Sequence, residues 1–272
     1  MKIGIQGTIG SFHYEVAKNL FGDEHEFVEC MDFNDIPRLL KQKQIDKGVM
    51  AIENTIAGAI LPNYALIDEY DLHIDGEYYL PIHHHLMALP GQKIEDIKEV
   101  WSHPMALLQC RKFFRNHPHI KLVEEKDTAE MAKIIQQRQL KGIAAIAGYE
   151  AAKIYNLQII AESIQTNKIN ATRFVVLDLK NGHAQKNFNK ASIRFKLSHE
   201  PGSLVNILQI FNEHGLNMSK IQSVPIIDKP WEYAFFVDLL IDDIDKYQLA
   251  MYKVARQVIE LKILGEYKHK KE

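Results

Sequence analysis

Short apolar runs alternate with amphipathic stretches over the first 180 residues of the chain. The run at 48–52 is almost continuously apolar, as expected of a buried strand, whereas 34–42 carries Ile36, Leu39 and Leu40 at helical spacing. The same patterns predict further strands at 2–6, 27–30, 80–89, 99–101, 142–147 and 173–179. They predict further helices at 14–21, 59–70, 105–114, 127–140 and 150–155. Strands that alternate with helices favour an α/β fold with a mainly parallel sheet.

These elements form two α/β blocks, and the strand at 173–179 returns after the second block. That arrangement resembles a two-lobed, periplasmic-binding-protein-like fold, in which the ligand lies between the lobes. We therefore expect a first domain at 1–180. Its first lobe would comprise 1–77 plus 165–180, and its second lobe 78–164.

The pattern changes after a polar stretch at 181–190, which we interpret as a linker. Beyond it, strands are predicted at 191–197, 217–225, 232–240 and 263–267, with a turn at 228–230. Helices are predicted from Pro201 onward and at 247–261. The order β-α-β-β-α-β is ferredoxin-like, so we expect a second, smaller domain at 191–272.

Composition narrows the class of protein. Hydrophobic residues make up 46% and charged residues 25%, and Lys+Arg 33 against Asp+Glu 35 gives a net charge of -2. This balance argues against a nucleic-acid partner. No apolar run approaches the length of a membrane span. Two well-separated cysteines and the absence of a signal-peptide pattern lead us to expect a cytoplasmic protein.

The loop between the first strand and helix is the first candidate site. It reads G-T-I-G-S-F-H from Gly7 to His13, so its backbone can approach a ligand and the helix N-terminus can face an anion. Gly10, Ser11 and Phe12 are its candidate binding residues. A tight strand-to-helix turn explains the same residues, and the glycine spacing does not match a dinucleotide fingerprint.

Two further segments place polar residues where strands end. Glu53, Asn54 and Thr55 follow one buried strand, and Ser102 and His103 follow another. Polar residues at such positions face the ligand crevice of a parallel sheet. Helix capping by Asn54, Thr55 or Ser102 is the alternative interpretation.

The fourth segment is N-A-T-R-F, where Thr172 and Arg173 enter the return strand. The arginine could bind a carboxylate with both arms of its guanidinium, and the threonine hydroxyl could donate to a leaving oxygen. An ordinary strand start is the alternative. The run His83–His85 invites a metal interpretation, but nothing at suitable spacing completes a site, so we expect no metal.

Together these four segments resemble the prephenate dehydratase family. The matching motifs are the glycine-rich loop, I-E-N-T at 52–55, S-H-P-M-A-L-L-Q-C at 102–110 and T-R-F at 172–174. The C-terminal region resembles an ACT domain, with G-S-L-V at 202–205 in place of the usual G-A-L-V. The resemblance spans essentially the whole chain.

The resemblance implies conversion of prephenate to phenylpyruvate, carbon dioxide and water, without cofactor or metal. Thr172 would assist departure of the hydroxyl, and Arg173 would bind a carboxylate. The other implied substrate-binding residues are Gly10, Ser11, Phe12, Glu53, Asn54, Thr55, Ser102 and His103. It also implies feedback by L-phenylalanine and a homodimer or homotetramer. The implied effector residues are Gly202, Ser203, Leu204, Asn217, Gln222 and Ser223.

This chain departs from the family pattern at two places. Thr8, Ser11 and His13 replace Pro, Thr and Ser of the usual G-P-x-G-T-F-S loop. Q-S-V-P at 222–225 replaces E-S-R-P, which puts phenylalanine binding in doubt. We expect no fused chorismate mutase. Arogenate dehydratase and a non-catalytic two-lobed sensor remain the alternatives, although a binding protein would not need the hydroxyl of Thr172.

Overall fold

The computed structural model describes residues 1–179, 187–226 and 232–269. The chain divides into two compact units. The first comprises Met1–Ile60 and Tyr78–Phe174, and the second comprises Leu61–Glu77 and Val175–Glu272. The predicted linker falls mostly outside the described residues, as does the predicted turn at 228–230. The predicted domain bounds therefore stay a prediction.

The first elements build a mixed sheet. In chain order they are β1 (Lys2–Gln6), α1 (Phe12–Phe21), β2 (Glu26–Cys30), α2 (Asp35–Lys41), β3 (Lys47–Asn54), β4 (Gly58–Ala59), α3 (Leu61–Glu69) and β5 (Leu72–Pro81). Strand β1 pairs in parallel with β2 and with β3. Apolar side chains of α1, among them Val16 and Ala17, pack on Ile3 and Ile5 of β1 and exclude water.

A second sheet follows within the same unit. Its elements are β6 (His85–Ala88), a 3₁₀ turn (Ile94–Asp96), β7 (Glu99–Ser102), α4 (Pro104–Phe114), β8 (Lys121–Glu124), α5 (Thr128–Arg138), β9 (Ile143–Ala147), α6 (Tyr149–Ile154) and β10 (Gln158–Ala161). The strand order is β10-β6-β9-β7-β8. The chain then returns through β11 (Ala171–Leu179), which completes the first sheet in the order β2-β1-β3-β11-β5.

The C-terminal region forms a four-stranded antiparallel sheet. Its elements are β12 (Lys190–Lys196), α7 (Ser203–Glu213), β13 (Asn217–Pro225), β14 (Tyr233–Leu240), α8 (Ile244–Ala255) and β15 (Glu260–Tyr267), in the order β13-β14-β12-β15. Alternate residues of β12, including Ile193 and Phe195, pack with α7 and α8. The predicted α/β class and the β-α-β-β-α-β order are both confirmed.

The other face of this C-terminal sheet carries buried charges. Lys190 is 1% exposed, and its Nζ lies 2.8 Å from the carboxylate of Glu77. Arg194 lies 3.0 Å from Asp68 of α3. The ring of Tyr64 contacts Phe236, with centroids 5.3 Å apart. Buried charges are tolerated only when they are paired, so segment 61–77 is an integral part of the second unit.

Several predicted elements differ from the structure. The single strand predicted at 80–89 is two strands, β5 and β6. Residues 82–84 connect them, with His83 exposed and His84 buried. Strands β4, β8 and β10 and the first half of β5 were not predicted. Helix α8 ends at Ala255 rather than at 261, because the following residues pair with β12 as β15. Within the described part of the chain, no helix is long and apolar enough to cross a membrane.

Candidate active site

A cavity of about 390 Å³ within the first unit, which we term the central cavity, gathers side chains from both of its sheets. Thr172 of β11 and Asn54 of β3 lie in its wall beside the start of α1 and the start of α4. Its apolar wall includes Phe33, Ile60, Ile82 and Phe174. A partly apolar pocket with a few converging polar groups is the usual form of a small-molecule site.

Asn54 fixes the hydrogen bonding of Thr172. Its Oδ1 accepts from the backbone N–H groups of Ile56 at 3.0 Å and Ala57 at 2.9 Å. The other end of the amide must therefore be Nδ2, which donates to Oγ1 of Thr172 at 2.9 Å. Since that oxygen accepts from Asn54, the hydroxyl hydrogen of Thr172 is left to donate elsewhere. A molecule in the central cavity can receive it.

A chain of amide groups extends from Asn54 across the wall. Its Nδ2 also donates to Oδ1 of Asn170 at 2.8 Å, and Nδ2 of Asn170 donates to Oε1 of Gln109 at 2.9 Å. Nε2 of His84 lies 3.0 Å from the same Oε1. Because a carbonyl oxygen only accepts, Nε2 of His84 carries the proton. Burial lowers the pKa of His84 to about 4, so this ring is neutral at physiological pH.

Three helices direct their N-termini at the central cavity. Ser11 caps α1 and His103 caps α4, each accepting from a backbone N–H of its own helix at 3.2 Å. Asp127 caps α5 in the same way at 2.8 Å. Helix N-termini carry partial positive charge and free N–H groups. With Lys126 also among the lining residues, this end of the cavity suits an anionic ligand.

His13 occupies the wall beside Phe174. Its Nε2 accepts from the backbone N–H of Ala51 at 3.3 Å, and its ring meets Phe174 edge to face, with centroids 5.0 Å apart. Burial lowers the pKa of His13 to about 3. The ring is therefore neutral, and its proton lies on Nδ1 because Nε2 is the acceptor.

A larger cavity of about 780 Å³, the outer cavity, adjoins the central one. The two share Gln6, Phe33, His103, Lys126 and Asp127. Burial raises the pKa of Asp127 above its ordinary value. The shared residues place Asp127 at the mouth between the cavities, whereas Thr172, His13 and Phe174 belong to the central cavity alone.

The structure brings some of the predicted binding residues together and leaves others in the supporting framework. The central cavity is lined by Ser11, Phe12, Asn54, His103 and Thr172. Ser102 is fully buried and donates to the carbonyl of Ile146 at 2.7 Å, so it is not the cap of α4. Oγ1 of Thr55 accepts from the N–H of Ala171 at 3.0 Å and joins β3 to β11, rather than capping a helix.

Arg173, Glu53 and Gly10 also lie outside the described wall of the cavity. Arg173 follows Thr172 in β11, so its side chain leaves the opposite face of the strand. It is 4% exposed, and its Nη1 lies 4.0 Å from Oε2 of Glu53. Gly10 has φ +91 and lies against α6, where an added Cβ would be 3.2 Å from Cα of Ala151. The turn itself therefore requires glycine there.

Sequence reasoning assigned no role to four residues of the cavity wall or its amide chain. Gln109 and Asn170 belong to the motif segments given above, and that membership was the sequence feature that could have identified them as site residues. His84 was considered only as one of three histidines for a metal. His13 was considered only as the last residue of the glycine-rich loop and as a departure from the family pattern there. Among the described residues, no group of three or more His, Cys, Asp or Glu side chains is arranged to hold a metal ion.

The predicted effector residues lie in the second unit. Ser203 and Leu204, at the start of α7, line a separate cavity of about 360 Å³. Gly202 precedes them as the N-cap residue of α7, with φ +86. The remaining predicted effector residues lie on β13 and do not line that cavity; they are Asn217, Gln222 and Ser223.

Comparison with known proteins agrees with this arrangement. A family model described as prephenate dehydratase matches residues 3–182. The bifunctional chorismate mutase/prephenate dehydratase of Aquifex aeolicus is 34% identical over 272 residues, covering 98% of this chain and 73% of that protein. Arogenate dehydratase 2 of Petunia hybrida is also 34% identical, covering 98% of this chain and 71% of that protein.

A solved structure extends the likeness to three dimensions. Prephenate dehydratase from Arthrobacter aurescens in complex with L-Phe superposes with a TM-score of 0.87 at 25% identity, covering 99% of this chain and 90% of that chain. The family model spans more than half of the chain, and the relatives match nearly all of it. The chain therefore belongs to the prephenate dehydratase family.

Proposed function

We propose that the central cavity converts prephenate to phenylpyruvate, with the hydroxyl of Thr172 assisting departure of the leaving oxygen. The observation that carries the proposal is the bond from Nδ2 of Asn54 to Oγ1 of Thr172 at 2.9 Å. That bond uses Oγ1 as an acceptor and so leaves the hydroxyl hydrogen available for a leaving oxygen in the cavity.

The reaction is a single elimination across the ring. The bond from the ring to its carboxylate breaks and releases carbon dioxide, and its electron pair moves through the ring. The bond to the ring hydroxyl breaks at the opposite carbon, and one proton from solvent converts the departing hydroxide to water. Negative charge grows on that oxygen as it leaves, so a donor aimed at it acts mainly in the transition state. Aromatisation drives the step, and we propose that no cofactor takes part.

Prephenate carries two carboxylates, and we assign their binding to the N-termini of α1, α4 and α5 together with Lys126. Ser11, Phe12 and His103 belong to this anionic end. Arg173 and Glu53 would act from behind β11 and β3 by holding these strands in register. Gly10, Thr55 and Ser102 would likewise support the site through the turn and strand ends they fix.

The test is turnover of prephenate by wild type, Thr172→Val and Thr172→Ser. Valine matches the shape of threonine but removes the hydroxyl, so we expect kcat to fall about 100-fold or more with less change in KM. Serine keeps the hydroxyl and should retain most of the activity. Absence of phenylpyruvate formation by wild type would overturn the proposed function. An active Thr172→Val would remove only the proposed role of Thr172.

Arogenate is the second candidate substrate, because the arogenate dehydratase of Petunia hybrida is as similar to this chain as the prephenate relative is. The two substrates differ by an amino group in place of a keto group. Parallel assays with both substrates separate them.

We also propose that residues 191–272 form an ACT regulatory domain that binds L-phenylalanine in a homodimer or homotetramer of a cytoplasmic enzyme. The ferredoxin-like order and the cavity at Ser203 and Leu204 support this proposal, as does the L-Phe complex of the Arthrobacter aurescens relative. Turnover measured against L-phenylalanine concentration tests the regulation, and sedimentation tests the oligomer. Full activity at saturating L-phenylalanine would contradict the regulatory role.

A further inference from the structure

His13 lies in the first turn of α1, whose N-terminus meets the central cavity, and it does not line the outer cavity. Phe174, against which its ring packs, is two residues after Thr172 on β11, so both side chains leave the same face of the strand about 7 Å apart. In prephenate the ring hydroxyl and the side chain stand at opposite ends of a six-membered ring. A substrate with its hydroxyl at Thr172 can therefore bring its side chain to His13.

The hydrogen bonding of His13 restricts what it offers to that side chain. Nε2 is occupied by the N–H of Ala51 at 3.3 Å, which leaves Nδ1–H as the polar group that can reach a bound molecule. Burial holds the pKa of His13 at about 3, so the ring neither charges nor changes its tautomer near neutral pH. His13 thus presents a neutral donor, with no lone pair for an incoming N–H.

We propose that His13 makes this site selective for the keto side chain of prephenate over the amino side chain of arogenate. The inference rests on the proposed function and deepens it. A keto oxygen accepts the Nδ1–H bond. An ammonium group at the same place would set donor against donor and lose its water without replacement, which is costly in a partly buried site. The serine usual at this position in the family has a hydroxyl that both donates and accepts, so it lacks this restriction.

Asp127 is the competing influence, because it is the carboxylate among the described residues of the cavity wall. A carboxylate attracts an ammonium group. Asp127 lies at the mouth shared with the outer cavity, and its Oδ1 is already bonded to the N–H of Glu130 at 2.8 Å. His13 is in the central cavity alone. The geometry therefore assigns the side-chain end of the substrate to His13.

The experiment compares kcat/KM for prephenate and for arogenate in wild type, His13→Ser and His13→Gln, with His119→Ser as an exposed control. Wild type should favour prephenate by on the order of 100-fold. His13→Ser should lower that ratio about tenfold or more, mainly through faster turnover of arogenate. Glutamine can accept from Ala51 and still present N–H donors, so His13→Gln should stay within about threefold of wild type.

Each other result is decisive. An unchanged ratio in His13→Ser, or a wild type that favours arogenate, overturns the inference and leaves the dehydratase function standing. Equal loss of selectivity in both His13 variants shows that the ring acts by shape alone, which also overturns it. If the ratio changes in Asp127→Asn but not in His13→Ser, Asp127 at the mouth determines the selectivity and the inference is overturned. A wild type that converts neither substrate ends the proposed function and this inference together. Thermal unfolding confirms that each variant is folded. If His13→Ser does not fold, the wild-type ratio of kcat/KM for the two substrates alone tests the inference.

Discussion

Asn54→Asp keeps the size of the side chain at the end of β3 and reverses the polarity of one of its atoms. The oxygen that replaces Nδ2 would face three acceptors: Oδ1 of Asn170 at 2.8 Å, the carbonyl of Ala171 at 3.1 Å and Oγ1 of Thr172 at 2.9 Å. Only Thr172 has a hydrogen to give. Its hydroxyl would turn to the new carboxylate and away from the cavity.

The expected loss of activity is that caused by removing one hydrogen-bond donor from the transition state. Removal of such a donor lowers kcat by about 100- to 1,000-fold, or roughly 3–4 kcal/mol. The KM for prephenate should change less, because the ground-state anion is held at the helix N-termini. Steady-state formation of phenylpyruvate by purified Asn54→Asp measures both quantities.

Two further readouts separate this account from a damaged fold. Thr172→Val should be as slow as Asn54→Asp, and the double variant should be no slower than either, since both remove the same donor. The neighbouring acceptors favour the protonated acid, so they raise the pKa of the introduced carboxyl group. As the pH falls through that raised pKa, the acid regains a hydrogen to donate to Thr172, and activity relative to wild type should rise. Multiplicative losses in the double variant, or a kcat within about threefold of wild type, would refute the reasoning.

Three more outcomes follow from buried groups. His84→Gln should change acid stability: the pKa of His84 is lowered from 6.5 to about 4 in the folded chain, so stability is complete above pH 6.5 and is lost as pH falls toward 4. Wild type should therefore lose about 2–3 kcal/mol more than the variant between pH 7 and 4.5 in denaturant titrations. Lys190→Met should cost up to about 3–5 kcal/mol by removing the ammonium from Glu77, which keeps His269 at 2.5 Å, and Lys190→Met with Glu77→Leu should recover most of it. Equal melting of wild type and the single variant would contradict this. Arg173→Lys should lower the free energy of unfolding by about 1–3 kcal/mol, while KM for prephenate stays within about twofold of wild type. A large rise in KM would instead support the sequence-based prediction that Arg173 binds a substrate carboxylate.

The fold could be predicted from the sequence wherever burial follows a local pattern. Strand β1 was predicted at its observed bounds, and β13 likewise, because both have clear ends and ordinary strand composition. The first half of β5 was missed because it carries His73, Asp75 and Glu77. Glu77 pairs there with Lys190 and His269, which are more than 110 residues away along the chain. No local window contains that information.

The end of α8 shows the same limit. Residues 256–261 continue a helical pattern, but from Ile259 onward the backbone pairs with β12. Glu260 lies 2.7 Å from Arg194 and 2.8 Å from Lys196. Those two cations lower the pKa of Glu260 to about 2. A tertiary ion cluster and a sheet edge therefore overcome a modest helical preference.

The candidate site, too, could be predicted only in part from the sequence. Asn54 and Thr172 stood in separate motifs, and the sequence supplied both as candidates. Their contact spans 118 residues, so its hydrogen-bond direction required the structure. Arg173 was the natural sequence candidate for binding an anion. The pleat of β11 sends it to the face opposite Thr172. Three helix N-termini meet the cavity instead, and they attract an anion through backbone N–H groups rather than through a cationic side chain.

The compact second unit has a consequence for recombining members of this family. Segment 61–77 is encoded far upstream of β12, yet Glu77 and Asp68 supply the counter-ions of Lys190 and Arg194. A chimera joined near residue 180 would combine α3 of one relative with the C-terminal sheet of another. The buried cations of that sheet would then face side chains that do not match them. Breakpoints that exchange 61–77 together with the C-terminal region keep these pairs intact. In laboratory shuffling and in natural gene conversion, the part that must be exchanged as a whole therefore consists of two segments that are separate in sequence.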